Sequence, residues 1–264
     1  MSADIKTLLF SGIFIFMSTI RATQAATSDS VTHGVHNVVL VHGAWGDGSN
    51  WSKVIPLLEA KGLHVVAVQN PLTSLADDVA ATKRAIALQD GPVLLVGHSY
   101  GGAVITEAGN DPKVVALVYV AAFAPDAGQS AGDLGKEFPT PPGLSQLRPD
   151  SSGFLSLTAS GISDDFAQDL SSAEKDLLIA TQHPTSGAAL GGKVTTAAWK
   201  SKPSWYVVAQ NDRMISPQFE EAMAKQIKAK SISVTSSHLA MLAKPVEIAN
   251  FIAVAASSAP SGSR

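Results

Sequence analysis

The feature that most constrains the fold is an apolar run, 92-PVLLV-96, followed at once by the glycine-rich stretch 97-GHSYGG-102. Gly97, Ser99 and Gly101 fit the pattern G-x-S-x-G, in which a serine sits on a sharp turn between a buried strand and a helix. A turn this tight leaves little space for neighbouring side chains, so glycines flank the serine. The sequence therefore predicts a strand, a strained turn and a helix, with the hydroxyl of Ser99 exposed at the edge of a sheet.

Other apolar runs continue this pattern along the chain. Helical patterns with one apolar face separate the runs, which are 38-VVLV-41, 64-HVVAVQ-69, 114-VVALVYV-120, 204-SWYVVA-209 and 231-SISV-234. One such helix is expected to contain Trp51, Val54 and Leu58, with Ser49 or Asn50 as its N-cap. Apolar strands that alternate with amphipathic helices indicate an α/β fold, with a mostly parallel sheet covered by helices on both faces.

Residues 126–200 interrupt this alternation. They contain several prolines and glycines, no convincing strand and one amphipathic helix at about residues 164–181. A connection of this length between two core strands is unlike an ordinary loop. We therefore predict a single domain over residues 26–264, with residues 126–200 inserted as a cap over the sheet.

The first 25 residues resemble a secretory signal peptide. Lys6 precedes the apolar stretch 8-LLFSGIFIFMSTI-20, and the small residues of 22-ATQAA-26 follow. This order predicts cleavage near Ala25 and a periplasmic or secreted protein without a stable membrane anchor. The apolar stretch is shorter than the roughly 20 residues of a membrane-spanning helix, although an uncleaved anchor is the alternative.

A serine hydroxyl is a weak nucleophile, so it needs a histidine as base and a carboxylate that orients the histidine. Asp212 follows the strand 204–209, and His238 follows the last strand. The order Ser99, Asp212, His238 is the one found when a G-x-S-x-G serine belongs to a catalytic triad. Asp126, which follows the strand 114–120, is the rival for the acid.

The same chemistry needs two backbone N–H groups as an oxyanion hole. Tyr100, directly after the serine, is the first candidate donor. Ala44, in the stretch 42-HGAW-45 after the first strand, is the second, and Gly43 would let the backbone approach closely. We expect His42 and His98 to be hydrogen-bonded framework residues in the floor of this site.

Composition and missing motifs exclude other chemistries. The chain has no cysteine and a net charge of −3, with no basic block, so neither thiolate chemistry nor a nucleic-acid partner is expected. The glycines of 43-GAWGDG-48 have the wrong spacing for a dinucleotide site, and no phosphate-binding loop or spaced metal-ligand cluster occurs. We therefore expect neither cofactor nor metal, and a small molecule as the partner.

At this point the chain resembles the α/β-hydrolase superfamily, and within it the small serine esterases that include plant methyl esterases, plant hydroxynitrile lyases and bacterial carboxylesterases. The stretches that carry the resemblance are 38-VVLVHGAW-45, 54-VIPLLEAKGLHVVAV-68, 93-VLLVGHSYGG-102, 118-VYVAAFAP-125, 211-NDRMISP-217 and 238-HLAMLAKPVEIANFI-252. The resemblance implies the α/β-hydrolase fold and cofactor-free hydrolysis of a small to medium apolar carboxylic ester. The residues expected at the substrate are Gly43, Trp45, His98 and Phe123.

Three alternatives stay open beside the esterase. The lyases of this branch carry a threonine at the position of Gly43 and a lysine at that of Leu239, so both residues favour an esterase over a lyase. Amides or lactones could be the substrates of the same triad. A non-catalytic ligand-binding protein on this scaffold is the third alternative, although the serine, acid and histidine are all present.

Overall fold

The computed structural model describes residues 34–260. The predicted signal peptide, residues 1–25, lies outside the described residues. Within residues 34–260, no helix combines the length and the apolar character that crossing a membrane requires.

The strands form two separate sheets. Their bounds are β1 Asn37–Val41, β2 His64–Ala67, β3 Val93–His98, β4 Val114–Val120, β5 Leu147–Pro149, β6 Phe154–Leu157, β7 Thr185–Ser186, β8 Ser204–Ala209 and β9 Lys230–Val234. The larger sheet has six strands in the order β2-β1-β3-β4-β8-β9. Neighbouring strands in it run parallel throughout. The predicted α/β architecture is confirmed.

The strand order determines where chemistry can occur. Parallel strands end at the same edge, and side chains that follow different strands therefore meet there. The central strands β1 and β3 are buried along their whole length. Ser99 follows β3, Asp212 lies shortly after β8, and His238 lies shortly after β9. The topology thus brings three distant parts of the chain to one edge of the sheet.

The helices cover this sheet or belong to the connections. Their bounds are α1 Ile55–Glu59, α2 Leu75–Ala87, α3 Gly101–Ala108, α4 Ala159–Gly161, α5 Ser172–Thr181, α6 Gly187–Leu190, α7 Pro217–Gln226, α8 Ala240–Ala243 and α9 Pro245–Ser258. Side-chain caps fix where two of the longer helices begin. The hydroxyl of Ser74 accepts from the N–H of Asp77 at the start of α2, and the hydroxyl of Ser216 accepts from the N–H of Phe219 at the start of α7.

The helix predicted around Trp51 and Leu58 is split in two, and both predicted caps are wrong. A 3-10 helix covers Gly48–Trp51, and its cap is Asp47, whose carboxylate accepts from the N–H of Ser49. The α-helix begins only at Ile55. Pro56 explains the break: a proline lacks the N–H that a helix interior needs, so it fits only in a first turn.

The prediction that residues 126–200 contain no strand is wrong. β5, β6 and β7 form an antiparallel sheet of three strands in this segment. They have three, four and two residues, too few for an alternating apolar pattern to be visible. The predicted helix at 164–181 is also shorter, because α5 begins after a capping box formed by Ser171 and Glu174.

Candidate active site

Ser99 occupies the turn between β3 and α3 in a strained backbone conformation. Its φ is 53°, in the left-handed region that residues with a side chain rarely adopt. Its N–H donates to the carbonyls of Val120 and Ala121, at 3.2 Å each, and its carbonyl accepts from Gly102 and Phe123. These bonds to β4 and its following loop hold the strained conformation. The sequence predicted both the turn and its position.

Gly101 is needed because two loops approach each other closely at the turn. A side chain built there would place its first carbon 2.6 Å from the carbonyl oxygen of His42 and 2.7 Å from that of Val41. Real side-chain carbons do not come this close to backbone oxygens. The glycine therefore lets the end of β1 pack directly against the start of α3, next to Ser99.

A buried carboxylate and imidazole lie in contact at the same edge. Oδ2 of Asp212 is 2.5 Å from Nδ1 of His238, and both side chains are fully buried. The other oxygen, Oδ1, accepts from the N–H groups of Met214 at 2.6 Å and Ile215 at 2.9 Å. An unprotonated carboxylate can only accept, so Nδ1 of His238 is the donor and Nε2 is left as an acceptor.

The rival acid, Asp126, is engaged elsewhere. Its carboxylate lies 2.6 Å from Nζ of Lys200, and about a third of its side chain is exposed. This partner lowers the pKa of Asp126 through a hydrogen bond. Asp212 is therefore the acid that the structure places against His238.

Several groups hold the ring of His238 in place. It packs against the ring of Phe166 at 5.4 Å and against that of His98 at 4.7 Å between centroids. Nε2 of His98 lies 3.0 Å from the carbonyl oxygen of His238. Burial, and then the nearby His238, hold the pKa of His98 well below its ordinary value. His98 is thus a neutral, buried support.

Nε2 of His238 is left available for a reacting group. Within residues 34–260 it has no hydrogen-bond partner, the hydroxyl of Ser99 included. His98, on which the His238 ring packs, is the residue directly before Ser99. Contacts between a catalytic base and its nucleophile are often long before substrate binds. The arrangement leaves an acceptor nitrogen without a partner on a ring that packs against the residue next to Ser99.

Ala44 and Tyr100, the two predicted oxyanion donors, line the same cavity as Ser99. Neither N–H has an acceptor in the described part of the chain. The loop before Ala44 is held by His42, whose Nε2 accepts from the N–H of Asn70 at 2.9 Å. Nδ1 of His42 must therefore carry the proton, and it donates to the carbonyl of Gly43 at 2.8 Å. Burial lowers the pKa of His42 to about 4, so this tautomer stays neutral.

A cavity of about 390 Å³ opens in front of the serine. Its wall is largely apolar, and Lys136 is the one charged side chain that residues 34–260 contribute to it. The lining residues are Ala44, Trp45, Ser99, Tyr100, Phe123, Ala131, Gly132, Leu134, Gly135, Lys136, Pro139, Thr140, Pro141, Leu144, Leu147, Leu190, Met214, Ile215, Ser216 and Phe219. Trp45 and Phe123 therefore lie where substrate contact was expected. Gly43 and His98, which were also expected at the substrate, are not among the lining residues.

Trp45 connects the loop after β1 to residues 126–200. Its backbone N–H donates to Oγ1 of Thr185 at 3.0 Å, and its indole N–H donates to the carbonyl of Leu155 at 3.0 Å. The indole also meets the ring of Phe166 edge-on at 6.2 Å. The inserted segment thus forms a wall of the cavity, and Trp45 links it to the sheet.

Two buried acids next to this site were missed from the sequence. The hydroxyl of Tyr100 donates to Oδ2 of Asp78 at 2.8 Å, and Oε2 of Glu220 accepts from the N–H of Ala209 at 2.9 Å. Both acids are fully buried. A signal was available: Glu220 shares helical spacing with the buried Met223, and Asp78 lies on the apolar face of α2. An acid within an apolar helical face indicates a buried polar role.

Comparisons with known proteins show the family to which the chain belongs. Residues 38–251 match the family model described as "Alpha/beta hydrolase family". A carbendazim hydrolyzing esterase of Nocardioides sp. is 36% identical over 110 residues, which are 36% of this chain and 45% of that protein. Methylesterase 2 of Arabidopsis thaliana is 27% identical over 238 residues, covering 78% of this chain and 90% of the relative. A crystal structure of a pyrethroid hydrolase from Sphingobium faniae superposes with a TM-score of 0.71 at 23% identity, covering 83% and 96% of the two chains.

Proposed function

This chain belongs to the alpha/beta hydrolase family, and from that premise we propose that it is a serine carboxylesterase acting on small to medium apolar esters. Relatives named as a carbendazim esterase and a methylesterase support ester hydrolysis as the reaction class. The observation that carries the proposal is the buried Asp212–His238 pair, whose Nε2 has no hydrogen-bond partner within residues 34–260, at the same sheet edge as Ser99, which lines an apolar cavity.

The first half of the reaction forms an acyl-enzyme. Nε2 of His238 takes the proton of Ser99 as Oγ attacks the ester carbonyl, and the carbonyl π electrons move onto its oxygen. The N–H groups of Ala44 and Tyr100 stabilise this oxyanion. When the intermediate collapses, the bond to the alkoxy oxygen breaks, and the imidazolium of His238 protonates the departing alcohol.

The second half frees the enzyme by the same steps. A water molecule gives its proton to Nε2 of His238 and attacks the acyl carbon. The same two N–H groups stabilise the second oxyanion. Collapse breaks the bond to Oγ of Ser99, which recovers its proton from His238, and the carboxylic acid leaves. Asp212 stays ionised throughout and holds the imidazole in the required tautomer.

The cavity favours uncharged, apolar substrates. Phe123, Leu134 and Phe219 are among the side chains of its wall, and an apolar acyl or alcohol group would replace water against them. The side chain of Lys136 is 73% exposed, so its charge stays largely in solvent, and its Nζ lies 3.9 Å from Oδ1 of Asp133. The part of the wall formed by residues 34–260 offers no buried cation to a carboxylate or phosphate on the substrate.

The test compares three proteins on a series of p-nitrophenyl esters of increasing acyl length. Ser99→Ala should abolish turnover of every ester that the wild type hydrolyses. The matched control Ser204→Ala removes another buried serine hydroxyl, which donates to the carbonyl of Lys202 at 3.2 Å, and should keep full activity. A wild type inactive on every ester but active on an amide, a lactone or a cyanohydrin would overturn the esterase assignment.

We also propose that the protein is exported, because residues 1–25 carry the sequence order of a cleavable signal peptide. Expression of the full chain in a bacterial host, followed by N-terminal sequencing of the periplasmic fraction, tests this. A new N-terminus close after Ala25 is the expected result. A full-length chain recovered with the membrane fraction would contradict it.

A further inference from the structure

The inserted segment bonds to the chain directly beside the acid of the proposed triad. Nε2 of Gln168 donates to the carbonyl oxygen of Asn211 at 2.6 Å, and Asn211 is the residue before Asp212. A carbonyl oxygen can only accept, so the amide nitrogen of Gln168 is the atom that faces it. On the other side of Asp212, Nε of Arg213 donates to the buried carboxylate of Asp165 at 2.6 Å. Both neighbours of the acid are therefore bonded to the insert.

The same segment also bonds to the chain beside the base. The carboxylate of Asp169 accepts from the N–H of Ser237 at 2.7 Å, and Ser237 is the residue before His238. The ring of Phe166 packs against that of His238, with 5.4 Å between their centroids. Ser237 is fully buried, so loss of the carboxylate would leave its N–H without an acceptor and without access to water.

A π-helical turn gives this part of the insert its shape. The turn covers Ile162–Phe166, and the N–H of Ala167 donates to the carbonyl of Ile162 at 2.9 Å. Such turns are rare, and they occur frequently at functional sites. Gln168 and Asp169 follow the turn at once. Residues 165–169 thus supply four of the contacts to the loops that carry the acid and the base.

The acid loop and the base loop are also bonded to each other. The N–H of Asn211 donates to the carbonyl of Ser236 at 3.1 Å. The bonds therefore form a closed ring, which runs from Gln168 to Asn211, on to Ser236 and Ser237, and back to Asp169. In a closed ring, neither loop can move relative to the other without breaking a hydrogen bond.

We propose that residues 165–169 form a clasp that fixes Asp212 and His238 relative to each other, with Gln168 and Asp169 as positioning residues. This proposal rests on the proposed function, because it assigns Asp212 and His238 their roles. Neither Gln168 nor Asp169 is among the residues that line the cavity. Each acts through the backbone of the residue before a catalytic one. The insert therefore aligns the acid and the base as well as forming a wall of the cavity.

Two substitutions each remove one bond of the clasp. Gln168→Leu removes the donor to Asn211, and Asp169→Ala removes the acceptor of Ser237. In each variant, kcat on an ester that the wild type hydrolyses should fall about tenfold with KM little changed, because the acid and base lose alignment while the cavity wall is kept. Asp169→Asn keeps an oxygen that can accept from Ser237, so its kcat should stay within about threefold of the wild type.

Two matched controls remove side-chain hydrogen bonds that lie wholly within the insert. Gln182→Leu removes the amide that donates to the carbonyl of Leu157 and accepts from its N–H. Asp150→Ala removes the carboxylate that accepts from the N–H groups of Ser152 and Phe154. Both controls should keep the wild-type kcat, whatever they cost in stability against urea. Clasp variants that lose stability but keep the wild-type kcat would show that these bonds only stabilise the insert, and would overturn the proposal.

A second measurement needs no substrate. The proton on Nδ1 of His238 lies in a short, charge-assisted contact with Asp212, and such a proton gives a proton NMR resonance far downfield, which is assigned by its loss in His238→Gln. In Gln168→Leu/Asp169→Ala this resonance should broaden or disappear, because a loosened contact lets the proton exchange with water. It should persist in Gln182→Leu. An unchanged resonance in the double variant would overturn the proposal. Its loss in a protein that hydrolyses no ester would support the clasp and count only against the esterase assignment.

Discussion

Oδ2 of Asp212 lies 2.5 Å from Nδ1 of His238, and neither side chain is exposed to solvent. Because two backbone N–H groups occupy Oδ1 of Asp212, the carboxylate has one orientation available toward the ring. The contact fixes which nitrogen of His238 carries the proton, and the other nitrogen is left to accept one.

Replacement of this acid should remove nearly all catalysis. In Asp212→Asn, an amide N–H facing Nδ1 would force the proton onto Nε2, which could then no longer act as a base. We expect kcat on p-nitrophenyl butyrate to fall by about 10⁴. The control Asp126→Asn breaks only a partly exposed pair with Lys200 and should stay within about twofold of the wild type. An Asp212→Asn protein with wild-type turnover would exclude this acid.

A side chain at Gly43 should disturb the oxyanion loop. Its first carbon would lie 2.6 Å from Cβ of Ser99 and 3.0 Å from the carbonyl oxygen of His98, so the loop or the serine must move. Gly43→Ala should lower kcat by about 10². In the control Gly91→Ala, the nearest atom is 3.5 Å away, so steady-state kinetics should match the wild type. Equal activity of the two variants would contradict the close packing of Gly43 against Ser99 and His98.

Stability should fall in acid partly because of His42. Burial lowers the pKa of His42 from an ordinary 6.5 to about 4 on folding. Between pH 4 and pH 6.5, His42 is therefore protonated in the unfolded chain and neutral in the folded chain. This histidine therefore contributes stability that is present above about pH 6.5 and lost as the pH falls, by up to about 3 kcal/mol near pH 4. Urea unfolding across this range should show a steeper loss for the wild type than for His42→Gln. Parallel curves would contradict a buried neutral His42.

The hydroxyl of Tyr100 should matter for stability more than for catalysis. It donates to the buried Asp78, whereas the proposed oxyanion donor is the backbone N–H of the same residue. Tyr100→Phe should lower the free energy of unfolding by about 1–3 kcal/mol and leave kcat within a few-fold of the wild type. Tyr119→Phe, which breaks a buried bond to the hydroxyl of Thr106, provides a neutral comparison with a smaller expected loss. A thousand-fold loss of kcat in Tyr100→Phe would mean that the hydroxyl itself takes part in the reaction.

The sheet edge that carries the candidate active site can be predicted from the sequence, because short local patterns indicate the turn at Ser99 and the strands before Asp212 and His238. The glycines around Ser99 indicate a strained turn, and Ser99 indeed has a φ of 53°. Asp212 and His238 each follow an apolar strand, so a parallel sheet must bring them to the same edge. The order of these residues along the chain was therefore enough to predict where each lies in the fold.

The remaining features depend on tertiary contacts that no local pattern encodes. The two to four residues of each short strand, such as Thr185–Ser186, pair only because the inserted segment folds back on itself. The helical spacing of Glu220 indicates a buried position, but its partner, the N–H of Ala209 on β8, follows only from the packing of α7 against the sheet. The positions of His98 and Phe166 against His238 likewise follow from packing between distant elements.

Covalent labelling with a fluorophosphonate, followed by mass spectrometry of the digested protein, shows directly whether Ser99 is the nucleophile. We predict a single adduct on Ser99 in the wild type and none in Ser99→Ala. Labelling should be much slower in Asp212→Asn, because the base that activates the serine is misoriented. An adduct on another residue, or ester hydrolysis that continues after Ser99 is fully labelled, would contradict the assignment of Ser99 as the nucleophile.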